Sequence, residues 1–240
     1  MATYEIHGLV PCKILKRYKR FLADLEMEDG SVITAHCTNT GAMSTCWEQG
    51  DAALALPAKN PSRKLPCTWI ASKRLDTWIG VETNTPNRIV ARWINDGAIP
   101  SLKGLRDMRA EVRYGNERSR IDLLAVDSRN RQVYIEIKNT TLRQGNAALF
   151  PDAKTVRGTK HLRELELMVA SGHRAAIVFF INRGDASAFA PARRIDPEYA
   201  DELDRAIATG VEMLPLLTSL NASAAPDGTW RLTWTLEKIL

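Results

Sequence analysis

The stretch "RIDLLAVDSRNRQVYIEIKN", residues 120–139, constrains the fold more than any other part of the chain. Two apolar runs flank "SRNR", a connection short enough for a hairpin, so the two strands should pair directly. The second run carries Glu136 and Lys138. Charges are seldom placed in such a strand without a partner or a task. Alternation puts Ile135 and Ile137 on one face, and Tyr134, Glu136 and Lys138 on the other. In the first run Ile121 and Leu123 alternate with Asp122 in the same way. Asp122 and Glu136 are therefore expected to project from one face of neighbouring strands.

This pattern has two readings. Two adjacent carboxylates raise each other's cost of ionisation, and a divalent cation between them removes it. Oxygen ligands suit Mg²⁺ or Mn²⁺. Lys138 would then face the same space and act on an attacking water or on developing phosphate charge. Alternatively, Glu136 and Lys138 form part of a cross-strand charge ladder, and Asp122 pairs with Arg118 or Arg120.

The rest of the chain sets the context. A 240-residue length with 45% hydrophobic and 25% charged residues is that of a folded protein of one large or two smaller domains. The net charge of +5 permits a nucleic-acid partner, and the basic residues are clustered. "KILKRYKR", residues 13–20, holds five of them, including Lys16, Arg17, Lys19 and Arg20. With Tyr18 and Phe21 nearby, that run suits contact with a nucleic-acid strand by charge and stacking. Four cysteines, at 12, 37, 46 and 67, show no CxxC spacing, so free thiols are expected rather than a zinc site. The N-terminus lacks a signal-peptide pattern and no apolar run reaches membrane-spanning length, which places the protein in the cytoplasm. No Gly-rich phosphate loop or nucleophile elbow supports a sugar-metabolising enzyme. The oligomeric state is open, a homodimer being one option.

Short strands dominate the first 80 or so residues. "ADLEMEDGSVITAHC" is a hairpin with a "DG" turn, and "DAALALP" and "TWIASKRLDTWIGVET" add further strands. A five-stranded barrel of the OB type fits residues 1–84. From Thr85, which would cap a helix with Pro86 at its first position, the order becomes helix, three strands, helix, strand, helix, strand. The second helix is expected over 153–171 and the last strand around "VEMLPLL". Residues 85–240 thus read as an α/β domain with a mixed sheet flanked by helices.

Asp122, then thirteen residues, then Glu-x-Lys within this succession resembles the PD-(D/E)xK nuclease superfamily. Across nearly the whole chain, "RYKRFLADLEMEDG", "HCTNTGAM", "NPSRKLPCTW", "SRIDLL", "IEIKNTTL" and "FPDAKTVRGTKHLREL" resemble the bacterial sugar fermentation stimulation protein family. Thr38 and Ala42 stand where that family has Pro and Ser, and Cys67 where it has Tyr. The resemblance implies an OB-like domain followed by a restriction-endonuclease-like domain, and a DNA-binding protein linked to sugar use. It implies catalytic roles for Asp122, Glu136 and Lys138, with Asp122 and Glu136 holding the metal. Glu111 is a candidate third acidic ligand, with a surface ion pair to Arg109 or Arg113 as the alternative. Arg157 and Lys160, opening the helix after the Glu-x-Lys strand, would touch phosphate. His161 beside them reads equally as a packed histidine.

Overall fold

The computed structural model describes residues 1–60, 62–116 and 119–240. Glu117 and Arg118, part of the expected "NERS" turn, lie outside the described residues, and with them the expected Asp122–Arg118 pair. The elements follow in the order β1 (Thr3–Tyr18), β2 (Leu22–Met27), β3 (Val32–His36), β4 (Ala52–Pro57), β5 (Cys67–Arg74), β6 (Thr77–Gly80), α1 (Thr85–Asn95), β7 (Arg106–Tyr114), β8 (Ser119–Val126), β9 (Gln132–Thr140), β10 (Leu142–Gln144), β11 (Ala147–Phe150), α2 (Val156–Ala170), β12 (Arg174–Ile181), β13 (Ala188–Pro191), α3 (Pro197–Ala208), β14 (Glu212–Ala224) and β15 (Trp230–Ile239).

The N-terminal strands close on themselves. β1 pairs with β2, β2 with β3, β3 with β5, β5 with β4, and β4 with β1 again. Closure removes the free edges that a five-stranded sheet would otherwise expose. The barrel interior is apolar and includes Ile14, Leu25, Met43 and Trp69. All four cysteines are free and buried in it. Burial pushes the Cys12 thiol up to about 12 and those of Cys46 and Cys67 up to about 11. These thiols stay protonated near neutrality, which makes them packing groups and poor metal ligands.

The second part is a mixed sheet. β7, β8 and β9 form the antiparallel meander, β12 joins β9 in parallel, and β14 follows β12 in parallel. α1 covers one face through Ile89, Val90, Trp93 and Ile94, which pack on Ile135, Ile137, Val178 and Phe180. α2 and α3 cover the other through Leu162, Leu165, Tyr199 and Leu203. Each sheet face thus buries its own apolar layer.

The structure departs from the sequence expectations in four places. β15 was not foreseen: it returns antiparallel on β14 and then pairs with residues 3–9 of β1. One strand therefore belongs to both sheets, and the hydrogen-bonded path runs through β2-β3-β5-β4-β1-β15-β14-β12-β9-β8-β7. A second small sheet, β10-β11-β13, is formed by segments between β9 and α2 and between β12 and α3, where the sequence reading expects no strands. Thr85 is the first residue of α1 rather than its cap, because its hydroxyl donates instead to Glu82 Oε2 at 2.6 Å. α2 starts at Val156, since Thr155 caps it by accepting from Gly158 N at 3.0 Å, and Asp152 is committed to the barrel.

Trp234 sits where the shared strand is gripped. It lies on β15 opposite Tyr4 of β1 and Leu220 of β14, fully buried, with Nε1 donating to Asn182 Oδ1 at 2.7 Å. Trp234→Ala should cost roughly 3–5 kcal/mol, read as a lower denaturant midpoint with unchanged slope.

Candidate functional site

The last registered pair between β8 and β9 is Leu123 with Ile135. Beyond it the strands part, and the Asp122 carboxylate takes the place of the missing ladder bond: Oδ2 accepts from Ile137 N at 2.7 Å. Its other oxygen accepts from Asn87 Nδ2 on α1 at 2.9 Å. This parting breaks the expected alternation. Ile121 and Leu123 do not share a face: Leu123 joins the α1 core and Ile121 the α2–α3 core.

Glu136 lies beside this gap, buried on the α2 side. Its Oε1 accepts from Lys138 Nζ at 2.7 Å and contacts His161 Nδ1 of α2. His161 Nε2 in turn receives Arg157 Nε at 3.3 Å. The Glu136 carboxylate, the nearest partner of Nδ1, can only accept and Arg157 can only donate, which together assign the ring proton to Nδ1 although Lys138 Nζ also lies 3.4 Å from it. Glu136 Oε2 is buried with no hydrogen-bond partner among the described residues. Such an atom is costly to leave bare.

The two carboxylates have opposite electrostatics. Burial and then the charge of Glu136 raise Asp122 to about 7. Burial alone would push Glu136 up, but Lys138 and His161 outweigh it and hold it below the usual carboxylate range. At neutral pH the pair is thus poised to lose a proton from Asp122 when a further positive charge arrives.

Other expected residues are placed differently. Glu111 is exposed on β7, with a left-handed backbone at φ 55°. Among the described residues no group of three or more His, Cys, Asp or Glu side chains is set to hold a metal ion. The four N-terminal cations have different surroundings. Lys16 pairs with Asp24 at 3.2 Å and lies over the Tyr18 ring. Lys19 is exposed in the turn after β1. Arg17 Nη2 ties together the carbonyls of Arg20, Asn39 and Gly41, each at 2.9 Å. Arg17 and Arg20 line a cleft of about 680 Å³ that also reaches Lys138. Arg157 is exposed on α2, and Lys160 is half-buried on the same helix. Asn87 and the His161–Glu136 contact were not anticipated. Asn87 carried no signal beyond its place near the start of a helix, and only helix-to-strand packing reveals it.

The cleft walls are joined by polar contacts between the two halves. Asp152 Oδ2 accepts from Met43 N at 3.1 Å. A Cβ on Gly41 would lie 2.3 Å from the same carboxylate, so glycine is required for this approach. Buried Arg183 donates to Thr141 O at 2.6 Å and to Thr45 Oγ1 at 3.1 Å.

Fold and site together define a two-part protein, an OB barrel followed by a restriction-endonuclease-like α/β unit. The model of the SfsA N-terminal OB domain matches residues 15–81, and that of the sugar fermentation stimulation protein RE domain matches residues 84–224. The chain belongs to the sugar fermentation stimulation protein family. It is 48% identical over 220 residues to the sugar fermentation stimulation protein homolog of Geotalea uraniireducens, covering 92% of this chain and 93% of that one. The homolog from Geobacter metallireducens is 47% identical over 206 residues, covering 86% and 88%. The solved structure of Pyrococcus furiosus SfsA in complex with Ca²⁺ superposes with a TM-score of 0.86 at 27% identity, covering 100% of this chain and 98% of that one.

Two measurements follow. Gly41→Ala and Asp152→Ala should each destabilise the protein by about 1–3 kcal/mol, and the double variant by less than the sum, because both break the same contact. In metal-free buffer, protonated Asp122 favours the folded state fully below its unfolded value near 3.8, and this contribution fades as pH rises to about 7. Asp122→Asn should therefore gain stability relative to wild type across that window. Equal pH slopes for the two proteins would contradict the raised value.

Proposed function

We propose that this protein binds DNA and hydrolyses phosphodiester bonds with a divalent metal held by Asp122 and Glu136. The observation that carries the reading is the bare, buried Glu136 Oε2 beside a second carboxylate at the point where β8 and β9 part. The donor set is oxygen only, which fits Mg²⁺ or Mn²⁺. A relative sharing the fold over its full length was solved with Ca²⁺, which supports a divalent ion here. When bound, the metal would supply charge for a phosphate oxygen and lower the pKa of water.

The chain's own residues divide the remaining work. Ile137 N and Asn87 fix the Asp122 carboxylate in place. His161, turned by Arg157, fixes Glu136. Lys138 is the cation within reach of both Glu136 and the cleft, so it would orient the attacking water or offset developing phosphate charge. Arg157 and Lys160 on α2, with the N-terminal cations, would contact the phosphate backbone.

A second reading, DNA binding without cleavage in a regulator of sugar use, is favoured by one feature. Lys138 is already paired with Glu136 at 2.7 Å, a state that neutralises the site without a metal.

Purified protein with Mg²⁺ or Mn²⁺ should cut linear, branched or single-stranded DNA, and chelator should stop it. Asp122→Ala, Glu136→Gln and Lys138→Ala should each lower the rate by at least about 100-fold. Cleavage that persists unchanged in Asp122→Ala and Lys138→Ala would refute the assignment. DNA binding with no cleavage of any substrate would favour the regulator.

A further inference from the structure

The cleft between the barrel and the nuclease-like unit opens beside the carboxylate pair, with Lys138 in its lining. It measures about 680 Å³, the size of a small-molecule site, enough for one or two nucleotides. Its walls are the 38–42 loop on one side and the 149–155 segment on the other. Arg17, Arg20, Lys138 and Lys154 line it, against Asp152 as the sole acid among the described lining residues. Asp152 is occupied by Met43 N, and Arg17 by three carbonyls. Arg20 and Lys154, both exposed, form no ion pair among the described residues. Two unpaired cations thus line one polar groove that also reaches Lys138.

The depth of Lys138 decides the form of the ligand. Its side chain is 12% exposed, and Glu136 behind it is 3% exposed. A phosphate can approach that ammonium through the cleft, and a single strand, narrower than a duplex, reaches such a recessed group more readily. Phe150 also lines the cleft, with its ring packed on Phe179 and Tyr199, and gives that wall an apolar element. The walls need no rearrangement, because the Asp152–Met43 and Arg17 contacts already hold them.

We propose that this cleft is a binding site for an unpaired nucleic-acid strand, gripped through its phosphates by Arg20 and Lys154 and delivered to Lys138. The proposal deepens the nuclease reading and rests on it for the direction of delivery.

The test is fluorescence anisotropy with full-length protein in EDTA, so that no cleavage occurs. Labelled 12-mers are compared as single-stranded DNA, single-stranded RNA and blunt duplex. The single-stranded DNA should bind at least about ten-fold tighter than the duplex. RNA binding as well as DNA supports the site, since phosphate is the group gripped. Arg20→Ala and Lys154→Ala should each weaken single-strand binding several-fold and flatten the salt dependence, while Lys238→Ala, remote on β15, should not. Circular dichroism confirms that each variant is folded. Equal affinity for duplex and single strand, or wild-type binding by a folded Arg20→Ala/Lys154→Ala double variant, overturns the proposal. Its failure is separable from that of the nuclease reading. A protein that binds single strands through Arg20 and Lys154 but never cuts loses only the latter, and one that cuts but ignores both substitutions loses only the former.

Discussion

Strand β1 is the constraint on which the rest depends. Its first residues are hydrogen-bonded to β15, and its later ones to β2 and β4 of the barrel. The barrel cannot swing freely, because the same backbone is part of both sheets. Core residues agree with this: Leu9, Leu54 and Ile70 of the barrel strands pack in one cluster with Trp93, Phe180 and Trp234. The cleft walls and the carboxylate pair are therefore held at a fixed separation, which a flexible tether would not provide.

At the site, backbone geometry and charge act together. The strands are parted at Asp122, just before Leu123, and the gap exposes an amide that the Asp122 carboxylate satisfies. The same gap sets Asp122 near Glu136, whose charge contributes to raising it to about 7. Lys138 and His161 counter the buried charge of Glu136 on one oxygen and leave the other bare. The arrangement is self-consistent without a metal, yet it is incompletely satisfied.

Much of this was legible in the sequence. The hairpin turn, the alternation over 134–138 and the helical spacing of Ile89, Val90, Trp93 and Ile94 follow from local periodicity, and each is found. What local pattern could not supply was the pairing of distant segments. β15 meets β1 across most of the chain length, and no short-range signal marks that contact. The break in alternation at Ile121 is invisible for the same reason, since it depends on where two strands stop pairing. The left-handed backbone at Glu111 has no sequence signal, since it is not a glycine. Nor does the basic run at 13–20 show that Arg17 binds loop carbonyls and Lys16 pairs with Asp24.

The sheet's two ends also differ in a way that bears on solubility. A long ladder of strands normally presents two open margins on which other chains can polymerise. Here one end curls into the closed barrel, leaving β7 as the outer margin of the path. β7 carries Arg106, Arg109 and Arg113, shifts register between Arg106 and Arg109, and holds Asp107 and Glu111 in left-handed backbone. A template so kinked and charged is a poor one for an incoming strand. The left-handed residues Asp107 and Glu111 are what bend that margin out of a regular ladder.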